Sequence, residues 1–101
     1  MAMTPEAKVK KKCVAVLKEL NCYYFFPATG GYGKSGVPDI ILCYTGLFVG
    51  IECKAGKGKT TALQDMNLRD IRAAGGLDLV INELNVDKLK ELIVGWGHKM
   101  T

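Results

Sequence analysis

The chain carries one histidine, one tryptophan and three prolines in 101 residues, and none of its four cysteines falls in a Cys-x-x-Cys pair. The lone His98 lies in a glycine-flanked stretch far along the chain from the other candidate ligands, so a zinc site built from His and Cys is disfavoured. Cys13, Cys43 and Cys53 sit in apolar runs, where a free thiol behaves as a small hydrophobe, and reduced cysteines are expected, Cys22 included. No apolar run approaches the roughly 20 residues of a membrane span, and the N-terminus lacks the pattern of a secretory leader. An intracellular, soluble protein without a membrane partner is the expectation. A nucleotide-hydrolysing loop is missing as well. Gly33-Lys34-Ser35 ends like one, but position 28 is alanine where the Walker pattern needs glycine, and no helix is expected to follow.

What is present is a globular composition: 49% apolar and 24% charged residues argue against disorder. The length suits a single domain over residues 1–101 with a modest core. The net charge of +4 suits a polyanionic partner.

The stretch that organises the chain is residues 36–54, Gly-Val-Pro-Asp-Ile-Ile-Leu-Cys-Tyr-Thr-Gly-Leu-Phe-Val-Gly-Ile-Glu-Cys-Lys. Two apolar runs flank Thr45-Gly46, which reads as a tight hairpin turn. In the second run Val49, Ile51 and Cys53 share one face while Gly50, Glu52 and Lys54 share the other. Pairing Tyr44 with Leu47 brings Asp39, which follows Pro38, opposite Glu52. Like charges placed opposite one another destabilise a sheet, so a cation is required to hold them. Lys54 supplies part of it, and a divalent ion suited to hard oxygen ligands, Mg²⁺ or Mn²⁺ rather than zinc, supplies more. The bland alternative is that Asp39 serves the turn after Pro38 and that Glu52 and Lys54 form a solvated strand face.

Around this hairpin the remaining elements follow. A helix is expected from residue 4 to about 20, with Thr4 as N-cap, Pro5 at the first helical position and an apolar stripe of Val9, Cys13, Val16 and Leu20. Glu6 lies on the edge of that stripe, where a carboxylate is favourable near the positive end of the helix dipole. Lys8, Lys10, Lys11 and Lys12 crowd the other sides, either as a solvated face or as phosphate contacts that would make binding salt-dependent. Residues 22–26 give a short aromatic strand, with core packing as its default and base stacking as the alternative. A glycine-rich loop then carries Tyr32 and Lys34 beside the motif. Residues 55–59 form a basic link with Lys57 and Lys59, followed by a helix over 60–74 with Leu63, Met66, Leu68 and Ile71 on its apolar side. Thr61 and Gln64 have capping-box spacing. Gly75-Gly76 stops this helix, residues 77–81 form a buried strand, and strand-helix-strand order implies a parallel pair, hence a mixed sheet. A last helix over 86–94, capped near Asn85, presents Val86, Leu89, Leu92 and Ile93, with Trp96 in the core or an interface.

The set Gly36-x-Pro38-Asp39, Glu52-x-Lys54 and Gln64 resembles the PD-(D/E)XK nuclease superfamily and, within it, the VRR-nuclease domain in its small stand-alone form of phages and bacteria. The resemblance runs from Glu6 to about Asn82. It implies an α/β, restriction-endonuclease-like core in the order α-β-β-β-α-β-α, a small mixed sheet flanked by helices. It also implies a catalytic set of Asp39, Glu52, Lys54 and Gln64. The metal ligands would be Asp39, Glu52 and the backbone carbonyl of Cys53, with Glu6 as a further candidate from the first helix. Gln64 would reach the site to orient water or phosphate.

A divalent ion, Mg²⁺ with Mn²⁺ as substitute, would stabilise the charge that gathers on phosphate oxygens during hydrolysis. Lys54 would stand beside the attacking water. The expected activity is a metal-dependent, structure-selective DNA endonuclease, cutting four-way junctions of the Holliday type as a homodimer, in the cytoplasm of a bacterial or phage-infected host. Lys8, Lys11, Lys12, Tyr32, Lys34, Lys57 and Lys59 are the candidate nucleic-acid contacts. Flap or single-strand cleavage, a sequence-specific restriction-like enzyme and a nucleic-acid-binding module that no longer cuts are the alternatives. No insertion is long enough to supply the recognition elements of the restriction-like one.

Overall fold

Thr4 caps the first helix as expected, its hydroxyl accepting from the Ala7 N–H at 3.1 Å, and with Pro5 at the first position it launches α1 (Pro5–Glu19). The computed structural model describes residues 3–28 and 33–100. After α1 come the strands β1 (Tyr23–Phe25), β2 (Ile40–Tyr44) and β3 (Leu47–Cys53). Helix α2 (Ala62–Ala73), strand β4 (Leu77–Ile81), a 3₁₀ turn (Val86–Lys88) and helix α3 (Leu89–Met100) complete the order, which is the expected one. No described helix is long and apolar enough to cross a membrane.

The sheet runs β1-β2-β3-β4, antiparallel except for the parallel β3–β4 pair, so it is mixed. Thr45 and Gly46 both take positive φ, 48° and 87°, as a two-residue hairpin turn matched to strand twist requires. That turn sets the register Tyr44↔Leu47 through Ile40↔Ile51, one step short of Asp39 and Glu52. Helix ends are handled in the same way at two places. Asn21 and Gly75, both with positive φ, close α1 and α2 by paired back-bonds from residues 21 and 22 to Lys18 and Leu17, and from Gly75 and Gly76 to Arg72 and Ile71.

The core lies between the sheet and the α1/α3 layer, where Val9, Cys13 and Leu17 meet Ile40, Leu42, Val49, Ile51, Cys53, Ile81, Leu89 and Ile93. Leu17 rather than Val16 and Leu20 completes the α1 stripe. Steps of four residues keep Val9, Cys13 and Leu17 over the sheet, leaving Val16 and Leu20 half-buried at its flank. The opposite sheet face is covered by α2. A Cβ on Gly50 would come within 2.7 Å of Ile71 Cδ1 and 3.0 Å of Pro38 Cγ, so this glycine lets helix and loop close onto β3.

Several expectations are corrected by this layering. The face of β3 that carries Glu52 is solvated only at Phe48: Gly50 and Glu52 are buried. In α2 the buried pair is Asn67 and Leu68, while Leu63 and Met66 are exposed, because the helix meets the sheet through its later turns. Cys43 is exposed rather than packed, since it lies on the part of the sheet that α2 does not reach. Of the aromatic strand only Tyr24 packs on the core; Tyr23, Phe25 and Phe26 are exposed at the sheet edge.

The last helix also departs from expectation. It begins after a 3₁₀ turn and continues through Gly95 and Gly97 to Met100, so His98 is helical and not in a tail. Trp96 packs on the core and buried Gly97 sits against the Tyr44 ring, holding a segment whose glycines would otherwise end it. Leu92 is exposed. Asn85 makes no helix cap; its side chain accepts from the Asn82 N–H at 2.7 Å and donates to the Val80 carbonyl at 3.0 Å.

Gly50→Ala is expected to cost about 1–3 kcal/mol through overpacking against Pro38 and Ile71, read as a lowered urea midpoint. An unchanged midpoint would show that this contact does not seal the α2 face.

Candidate active site

The hairpin register continues past Ile40↔Ile51 through a side chain instead of a ladder bond: Asp39 Oδ2 accepts from the Cys53 N–H at 2.8 Å. Asp39 is thereby fixed at the end of β3, next to Glu52. The neighbouring Lys54 N–H donates to the Ile81 carbonyl at 2.9 Å, so β4 holds the same end of β3 from the other side.

Glu52 is 2% exposed, and its Oε2 is buried with no hydrogen-bond partner. Burial first, and then hydrogen bonding to Asp39 and the negative charge on it, push the Glu52 carboxyl up to about 8, against the smaller opposing pull of Lys54. A buried acceptor without a donor is costly, and a cation is the group that would satisfy it. Lys54 only partly does so, because its ammonium is turned toward Glu6, 3.9 Å from Oε1. The solvated-face alternative for Glu52 and Lys54 is therefore closed; the Lys54 side chain is 14% exposed.

The residues present fit a hard divalent ion. Two carboxylates at one point, one of them with an orphaned oxygen, leave the remaining positions to water and phosphate, the habit of Mg²⁺ sites. Among the described residues no three His, Cys, Asp or Glu side chains converge on one point, so Glu6 is not gathered with Asp39 and Glu52. On the core side of the strand the Cys53 thiol is held well above its ordinary range by hydrogen bonding with Cys13 and by burial, which keeps it inert.

Gln64 stands in the capping box. Its N–H donates to Thr61 Oγ1 at 3.2 Å and its Oε1 accepts from the Thr61 N–H at 2.9 Å, so the oxygen is occupied at the helix start. Of the candidate nucleic-acid contacts, Lys8, Lys11 and Lys12 are exposed along α1, and Lys57 and Lys59 are exposed in the loop after β3. Lys54 and Lys59 line a cleft of about 390 Å³ between that loop and the start of α1, with Thr4 and Glu6 on its other side. Lys34 is exposed on the far side of Pro38. Tyr32 lies outside the described residues.

Sequence reasoning missed Asn67. Buried in α2, its Nδ2 donates to the Ser35 carbonyl at 3.1 Å and to the Leu63 carbonyl at 2.9 Å, clamping the segment that leads into Pro38-Asp39. Gly36, at φ 76°, lies where a Cβ would be 2.6 Å from Leu63 Cγ, so the same segment presses onto the helix backbone. The available signal was an asparagine, a poor helix former, between Leu63 and Ile71 at four-residue steps on a helix face.

The fold and site together define a small α/β domain with two carboxylates at the end of its third strand. Two solved structures superpose on it. One, described as "VRR_NUC domain", gives a TM-score of 0.74 at 23% identity over 88% of this chain and 97% of its own. The other, a "VRR_NUC domain protein", gives 0.62 at 18% identity over 95% and 90%. The chain thus has the VRR_NUC, PD-(D/E)XK-like fold. No family model matches it, and no curated protein does.

Two outcomes are expected from this geometry. Between pH of about 4.5 and about 8 the unfolded chain has lost the Glu52 proton that the folded protein keeps, so this group's contribution to stability falls as pH rises through that window. In EDTA, Glu52→Gln should therefore melt higher than the wild type at pH 8 and no higher at pH 4; parallel melting curves would contradict the buried-acid assignment. Asn67→Ala should cost about 1–3 kcal/mol for the unpaired Ser35 carbonyl and lost packing and weaken Mg²⁺ binding measured by calorimetry. Unaltered metal affinity would show that the clamp does not position Asp39.

Proposed function

We propose that the chain is a metal-dependent endonuclease that hydrolyses phosphodiester bonds in DNA. The observation that carries this reading is the buried Glu52 carboxyl, with its orphaned Oε2, beside Asp39 at the end of β3, an arrangement that a cation would satisfy. Support also comes from the nuclease-type fold and from lysines on both sides of the site.

Asp39, Glu52 and the Cys53 carbonyl would hold Mg²⁺, or Mn²⁺ in its place. The bound ion supplies Lewis-acid stabilisation of the phosphate oxygens and a more acidic water. Asp39 is kept in position by the Cys53 amide, and Glu52 is buried. Lys54 holds a positive charge at the mouth of the cleft, close to where the attacking oxygen would lose its proton. Glu6 orients Lys54 through their contact at 3.9 Å. Lys59, which lines the cleft, would contact the phosphate backbone. Release of Gln64 from the capping box would be needed before its amide could orient water.

Structure selectivity follows from size. A chain of 101 residues with no long insertion has little surface for reading base sequence, and the shape of a branched substrate is the feature such a surface can recognise. A two-fold homodimer would place two sites across a four-way junction, in a bacterial or phage-infected cytoplasm.

The test is a panel of labelled DNAs, namely linear duplex, single strand, 5′ flap, splayed arm and four-way junction, with Mg²⁺, Mn²⁺ or EDTA. Metal-dependent cutting with preference for the junction is expected, and Asp39→Ala, Glu52→Ala and Lys54→Ala should each lower it roughly hundredfold or more with unchanged circular dichroism. Binding without cutting under every metal condition would leave a nucleic-acid-binding module instead.

A further inference from the structure

Helix α2 covers β3 and β4 but stops short of β1 and β2, and on the part of the sheet left open the side chains are aromatic and apolar. The register sets Phe25 beside Ile41 and Ile41 beside Gly50, and sets Tyr23 beside Cys43 and Cys43 beside Phe48, all on the face that α2 partly covers. Tyr23 is 73% exposed and Phe25 and Phe48 are each 47% exposed. The Tyr23 and Phe25 rings lie side by side, centroids 6.3 Å apart. Between this platform and α2 runs a groove of about 320 Å³, floored by Phe25, Ile41 and Phe48 and walled by Pro38 and Ile71. Lys34 lies at its rim, with Asp70 also lining it on the helix side. Nothing in the fold requires these rings outside the core; Tyr24, between them, is the one that packs inward.

Pro38, which lines the groove, is followed in the chain by Asp39. Phe25 lies one strand over from Ile41, so strand geometry puts it roughly 8 Å from Asp39, a reach of one or two nucleotides. A strand whose phosphate sits at Asp39 and Glu52 would pass over these rings, with Lys34 available to the next phosphate. The size falls in the roughly 300–1,000 Å³ range of small-ligand clefts, enough for a base and its sugar. A base inside a duplex has both faces covered by its neighbours, so only an unpaired base can lie on Phe25.

We propose that this groove is a stacking site for an unpaired nucleobase beside the scissile phosphate, with Phe25 as the platform, used by branched DNA that carries an unpaired arm next to the cut. The inference rests on the nuclease reading for the position of the strand. It is distinct from the metal chemistry, because Phe25 touches none of the proposed ligands. A second copy of the chain is the competing occupant. It would bring another positively charged surface, whereas a nucleic-acid strand brings the phosphates that Lys34 matches.

The full chain is compared with Phe25→Ala, Phe25→Leu and Phe25→Trp in EDTA. The probes are a splayed-arm DNA carrying 2-aminopurine in its unpaired arm and a fully paired duplex of the same sequence. Phe25→Ala and Phe25→Leu should weaken splayed-arm binding about tenfold and abolish the 2-aminopurine quenching. Duplex affinity should stay unchanged, and Phe25→Trp should restore both. Phe25 is half-exposed, so thermal melts should superpose, and the leucine variant keeps apolar packing while removing the ring. Equal loss on both DNAs, no loss on either, or a shift in sedimentation from dimer to monomer on mutating Phe25 would overturn the stacking site, the last by giving the face to a second copy. A wild type that binds with quenching yet cuts nothing in Mg²⁺ or Mn²⁺ would overturn the nuclease reading and leave the stacking site standing. Cutting that persists while Phe25→Ala binds like the wild type would do the reverse.

Discussion

The hydrogen bond from the Cys53 amide to Asp39 is the constraint on which the site depends. It extends the β2–β3 register by one residue beyond the ladder and delivers a carboxylate to the end of β3, where Glu52 already lies. Helix α2 then shuts the face above it, with Gly50 allowing the approach and Asn67 tying down the chain that leads to Pro38. The result is a carboxylic acid with an orphaned oxygen in a protein that could have buried a leucine there. Buried acceptors without donors are costly and rare in proteins.

The two layers on either side of the sheet have different tasks. The α1/α3 side is a closed apolar core, with the Cys13–Cys53 contact beneath the site and the Cys53 thiol held above its ordinary range. The α2 side is only half covered, and its open half carries the aromatic platform. The parallel β3–β4 pair lets one helix cross over the sheet without reaching β1. Pro38, next to Asp39 in the chain, lines the groove.

The element order, the mixed sheet, the hairpin turn and the register that brings Asp39 near Glu52 were legible because each rests on local rules. Positive φ at Thr45-Gly46 fixes a two-residue turn, and period-two alternation then fixes every partner. The helix caps at Thr4 and Thr61 and the stop at Gly75-Gly76 were legible for the same reason. Less legible were the ends that tertiary contacts decide. Gly95 and Gly97 stay helical because Trp96 and Tyr44 hold them, and Cys43 is exposed because no helix reaches it.

The sequence by itself named the candidate residues: Asp39, Glu52 and Lys54 at a spacing that a hairpin brings together. It could not determine how each is solvated. Whether Glu52 faces water or a helix, whether Glu6 meets a carboxylate pair or the Lys54 ammonium, and whether Gln64 is spent on its own helix cap are decided by the packing of α1 and α2 on the sheet. Periodicity names the face on which a side chain lies. Only the tertiary structure decides what covers that face, because burial depends on segments distant in the chain.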